Sequence, residues 1–88
     1  MLELVIFTEN DILFRGRAKS IVFPGETGVF EILPFHKRMM SRLIRGNIDV
    51  DGQLFPIFRG IMKVNKNQVH VVVEKTPPMS KYNSDPLK

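Results

Sequence analysis

Eighty-eight residues, 43% of them hydrophobic, make one ordinary globular domain and leave no room for a second core. A chain of this size buries only roughly 60–65% of its unfolded surface, so a large enclosed active site is hard to build. There is no cysteine, which removes disulfide scaffolds and thiolate metal sites and fits a reducing compartment.

No apolar run approaches the roughly 20 residues that span a bilayer. The opening MLELVIFTEND lacks a basic stretch, and Glu3 interrupts its apolar residues, so no signal peptide is expected and a soluble cytoplasmic domain is predicted. The formal net charge of +4 invites a nucleic-acid reading. Its distribution weakens that reading. After Glu74, three lysines and one aspartate contribute +2, while ten basic and eight acidic side chains up to Glu74 contribute the other +2.

In chain order, LELVIFT alternates and is rich in β-branched and aromatic residues, which predicts a strand. NDILFRGRAKSIVF predicts two more, with a bend or bulge at Gly16. PGETG is a turn in which Pro24 fixes φ and Gly25 and Gly28 can take positive values. VFEIL alternates again and stops at Pro34, which has no N–H for a ladder. In HKRMMSRLIRG, Met39, Met40, Leu43 and Ile44 recur at helical spacing, and taken alone they predict a short helix.

NIDV and QLFPIF flank Asp51-Gly52, a favoured hairpin turn, and Pro56 assigns the returning strand to an edge or bulge. GIMKV and QVHVVVE flank NKN and predict a second hairpin, with Val69, Val71 and Val73 on one face and His70, Val72 and Glu74 on the other. These turn-punctuated elements predict an all-β fold, a sandwich or barrel of about eight to ten short strands over residues 1–74. The last fourteen residues, 75–88, carry three prolines and no periodicity and are expected to form a flexible tail.

Catalysis finds no constellation. His36 and His70 are the only histidines, 34 positions apart with no clustered carboxylates, so no metal site is predicted. GETG lacks the lysine of a phosphate loop. Glu26 and Glu31 flank an exposed turn, where nothing desolvates either one for acid–base work. A nucleic-acid module is the competing class: Lys37, Arg38, Arg42 and Arg45 would meet phosphates, while Phe14, Phe23, Phe30 or Phe58 would stack on bases. Most of the phenylalanines have aliphatic neighbours at strand spacing, which favours the core instead.

PGETGVFEILPFH resembles the N-terminal β-domain of the epsilon subunit of rotary, F-type ATP synthases, in which a P-G-x-x-G turn leads to a strand ending in L-P-G-H. Pro24, Gly25, Gly28, Leu33, Pro34 and His36 keep that order. ELVIFTENDILFRG, closing in Phe14 and Gly16, is similar to the family's opening strands. Gly60, Val64, Asn67, Val69 and Val71 match a later segment. The resemblance covers residues 2–74 and implies a flattened sandwich in the central stalk, joining the gamma subunit to the membrane c-ring and coupling ion translocation to ATP synthesis or hydrolysis. It implies no catalytic residue, no cofactor, no ATP site, no nucleic acid and a place on the inner face of the membrane through the complex only.

Residue by residue, the resemblance assigns Glu26, Thr27, Gly28 and Val29 to the ring and Thr8, His36 and Ser41 to gamma. It also turns Met39 to Ile44 into a strand rather than a helix. There are departures from the pattern. Phe35 stands where the family has glycine, Arg59 replaces the first of paired glycines, and Lys37, Arg38 and Arg42 stand where small or apolar residues are usual. The family's C-terminal helical hairpin has no counterpart in this sequence, so the expectation is a short form of the subunit, natural or a piece of a longer chain, that lacks hairpin-based inhibition.

Overall fold

The structure, a computed structural model, describes residues 1–77. These residues hold nine strands: β1 (Leu2–Phe7), β2 (Ile12–Ala18), β3 (Ile21–Gly25), β4 (Gly28–Ile32), β5 (Met39–Leu43), β6 (Gly46–Val50), β7 (Gln53–Ile57), β8 (Arg59–Asn65) and β9 (Gln68–Glu74). Among the described residues there is no helix. Of the expected tail, residues 75–77 are exposed and outside any strand; the remainder lies outside the described residues.

The strands form one hydrogen-bonded sheet in the order β2-β1-β9-β8-β5-β3-β6-β7, with β4 on β3. All neighbours are antiparallel except β1 and β9. The sheet folds over itself where β5 passes into β6. β3 meets β5 only at Gly25–Leu43 and meets β6 at Ile21–Val50 and Val22–Asp49, so Ile44 and Arg45 form the corner between two layers. The Ile44 N–H donates to Pro24 O at 2.9 Å and the Glu26 N–H to Arg42 O at 3.1 Å, which carries the pairing through the corner.

Alternation decides what goes inside. Leu2, Leu4 and Ile6 of β1, Met62 and Val64 of β8 and Val69, Val71 and Val73 of β9 face Ile21, Phe23, Ile32, Ile48, Val50 and Ile57 of the second layer in one buried core. No polar or charged side chain is buried among the described residues. The two ends of the sheet meet through rings rather than hydrogen bonds: Phe14 of β2 and Phe55 of β7 pack edge to face with centroids 5.6 Å apart.

Both predicted hairpins form. Asp51 and Gly52 take φ of 49° and 95°, and Lys66 and Asn67 take 52° and 64°, the positive pair that a type I′ turn requires. The Asp51 carboxylate also accepts the N–H groups of Ser20 (2.9 Å) and Lys19 (2.9 Å), tying the β6–β7 hairpin to the β2–β3 corner. Pro56 lies on β7, the last strand of the sheet, as its missing donor predicts.

Two expectations change. The register of β1 and β2 runs unbroken through Gly16; the irregularity lies between Ile6 and Phe7, where Leu13 becomes the extra residue of β2. Met39 to Leu43 is a strand, as the resemblance implies and the helical spacing does not. Leu43 is buried and Met39 packs on the core, while Met40 and Ile44 are exposed. A strand apolar on both faces at these positions mimics a helical stripe.

Candidate functional site

The β3–β4 turn is built by its glycines. Gly25 pairs with Gly28, leaving Glu26 and Thr27 at the tip. Gly28 takes φ of 135°, which glycine adopts freely. At Gly25 an added Cβ would lie 2.6 Å from the Phe30 ring and from Gly28 O, so the turn closes this tightly only without a side chain there. Glu26, Thr27, Gly28 and Val29 are all exposed, Val29 at 76%, so the four residues assigned to one partner form a single protruding edge.

The other three candidates form no pocket. The β1–β9 register puts Thr8 level with Val73, at the end of the strands that carries the Glu26–Thr27 turn. Ser41 lies midway along β5, opposite Met62. His36 precedes β5 at the opposite end. Each uses its polar group locally. Thr8 Oγ1 accepts the Asp11 N–H at 3.0 Å, and the Ser41 hydroxyl donates to Arg42 O at 3.0 Å. His36 Nδ1 lies 2.7 Å from Lys37 O. A carbonyl oxygen only accepts, so Nδ1 carries the proton and Nε2 alone is left for a partner.

Beside His36 is a feature that its sequence disguises. The His36 N–H donates to Leu33 O at 3.2 Å, closing a turn with Pro34 second and Phe35 third. Phe35 has φ of 69°, the sign that a type II turn demands at this place and that glycine usually supplies. Its N–H donates to Asn67 Oδ1 at 2.6 Å, which fastens this turn to the β8–β9 hairpin. Thus the Phe35–His36 turn sits at the Asn65 end of β8, while the β3–β4 turn joins the sheet at Gly25, level with Gly60 near the other end; Thr8 lies at that second end too, so the three residues assigned to gamma do not gather in one patch.

The nucleic-acid platform is dismantled by packing. Phe23 is fully buried and stacked on Phe30 with centroids 5.4 Å apart, and Phe14 packs on Phe55. Of the four proposed stacking rings, these three are committed to the core or its border. Arg42 and Arg45 instead border an open groove of about 560 Å³ on the outer face, floored by Ile44, Phe58, Ile61 and Val72. Arg59 closes one wall, held by Glu74 at 2.9 Å and lying over the Phe58 ring.

His70 is exposed, as alternation predicts. Glu31 accepts the Ser20 hydroxyl at 2.5 Å, whereas Glu26 stands at the turn tip, so they do not form a paired acid and base. No group of three His, Cys, Asp or Glu side chains is placed to hold a metal ion among the described residues.

The fold is that of an all-β sandwich domain, a frame of strands that carries exposed turns. Residues 1–78 match the family model described as ATP synthase, Delta/Epsilon chain, beta-sandwich domain, and the chain belongs to that family. The chain is 37% identical over 83 residues to the ATP synthase epsilon chain of a Nitratiruptor species, covering 89% of this chain and 64% of the relative. It is 33% identical over 78 residues to that of Sulfurimonas denitrificans, covering 83% and 60%. It therefore spans less than two thirds of the length of these relatives.

Among solved structures, a chain of the Euglena gracilis mitochondrial ATP synthase (OSCP/F1/c-ring) shares the fold with a TM-score of 0.75 at 18% identity, over 82% of this chain and 49% of that one. A chain of the Tetrahymena thermophila mitochondrial ATP synthase central stalk/c-ring does so at 0.69 and 16%, over 99% and 79%.

Proposed function

We propose that this chain is a central-stalk subunit of an F-type ATP synthase, joining the gamma subunit to the membrane c-ring so that the three turn together and couple ion translocation to ATP synthesis or hydrolysis. It works without a catalytic group or cofactor, on the cytoplasmic face of the membrane as part of the complex. The observation that carries this reading is family membership across residues 1–78. The named assemblies of the two structural neighbours support it.

The geometry supplies a physical reason. A coupling part needs a stiff body and two separate adhesive patches. Stiffness comes from a close-packed core between two layers. In this reading the exposed Glu26–Val29 turn meets polar loops of the ring, and gamma takes the His36 turn at the Asn65 end of β8, Ser41 midway along β5, and Thr8 near the end where the ring turn joins the sheet.

His36→Ala tests the gamma side. Among the described residues the side chain makes one bond, to its neighbour's carbonyl, so its loss leaves the melting temperature nearly unchanged while weakening gamma capture several-fold. Isothermal titration beside a circular-dichroism melt separates the two. Unaltered affinity, or a collapsed fold, contradicts the role.

A further inference from the structure

We infer that Phe35 is the anchor of the gamma contact, a ring that enters an apolar pocket edged by aspartate or glutamate on the gamma subunit. This rests on the stalk reading above and names the residue that carries specificity within it. Phe35 is 89% exposed, the largest fraction among the exposed large apolar side chains of the described residues. It also occupies a left-handed backbone position, which an L-residue with a bulky side chain disfavours and glycine takes without cost.

Among the described residues, no packing of the ring offsets that conformation. The ring faces solvent, and the contact that holds the residue is made by its backbone, through Asn67 Oδ1. A side chain that strains the fold and stabilises nothing within it has its use outside. The Asn67 bond and the Leu33–His36 turn fix the base of the ring, so little freedom is lost when it docks.

The chemistry of the pocket follows from the neighbours. Leu33, 49% exposed, widens the apolar contact. Lys37 and Arg38 are exposed directly after the turn and call for carboxylates at the rim. His36 follows directly in the chain, which makes the ring continuous with the residue already proposed for gamma.

The test uses the full chain and the full-length gamma subunit of the same organism, with wild type, Phe35→Gly and Phe35→Leu compared by surface-plasmon kinetics and circular-dichroism melts. Phe35→Gly is expected to weaken binding about tenfold or more, mainly through faster dissociation, with a melting temperature unchanged or raised. Phe35→Leu recovers most of the affinity. A loss below about threefold for Phe35→Gly, with wild type bound, overturns the anchor and leaves the stalk reading intact. A lowered melting temperature in Phe35→Gly makes the ring structural and also overturns it. Failure of wild type to bind gamma overturns the stalk reading and the anchor together.

Discussion

Phe23→Ala is expected to remove about 3–5 kcal/mol of stability, the usual cost of emptying a buried aromatic site. Phe23 is fully buried, stacks on Phe30, and sits in β3, the strand that pairs with β4, β5 and β6 and so joins both layers. Its neighbours cannot collapse into the vacancy without breaking one of those ladders. A domain of this length has about 4–13 kcal/mol in total, so the variant is left at the margin or unfolded at 37 °C. Because the chain has no tryptophan, urea melts followed by far-ultraviolet circular dichroism are the suitable readout. A loss under about 1 kcal/mol would mean that the two layers are not held by this ring.

Gly60→Ala is expected to cost about 2–3 kcal/mol or more, for a different reason. The residue needs no special φ; it needs space. A Cβ at Gly60 would lie 2.5 Å from Val72 O and 3.0 Å from Val73 Cγ1. The nearer atom is backbone, and β8 is hydrogen-bonded on one side to β5 and on the other to β9, so neither ladder can shift without straining the other. Gly28→Ala provides the contrast. An added Cβ there meets nothing within 4 Å, so only the φ of 135° resists it, and the loss should be near 1 kcal/mol. Equal losses at the two positions, measured by the same urea melts, would contradict the steric account of Gly60.

The frame of this domain was legible because its signals are local. Asp51-Gly52 and the NKN turn fixed two hairpins, the valines of β9 declared their inner face, and Pro56 declared an edge. Where reasoning from residues alone failed, the competing cause is specific. Met39 to Ile44 is apolar on both faces because its inner side meets the core and its outer side borders a groove. Gly16 fits in register without a bulge because the extra residue lies three positions earlier, at Leu13.

The candidate site was less legible, for reasons of distance along the chain. The Asn67 side chain holds the Phe35 backbone from 32 positions away, and Glu74 holds Arg59 from 15. Neither pairing has a periodic signature. A Leu-Pro-Phe-His turn did carry a clue, since proline in second place invites a type II turn whose third residue wants positive φ. The His36 Nδ1 is taken by Lys37 O, which a sequence does not display.

The most direct test of the stalk reading is capture of this chain by immobilised gamma subunit from the same organism, beside a lane of single-stranded RNA beads at moderate salt. Stoichiometric retention on gamma and none on RNA is the expected result. Retention on RNA with no binding to gamma would contradict it, leaving a shared β-frame that serves a different partner.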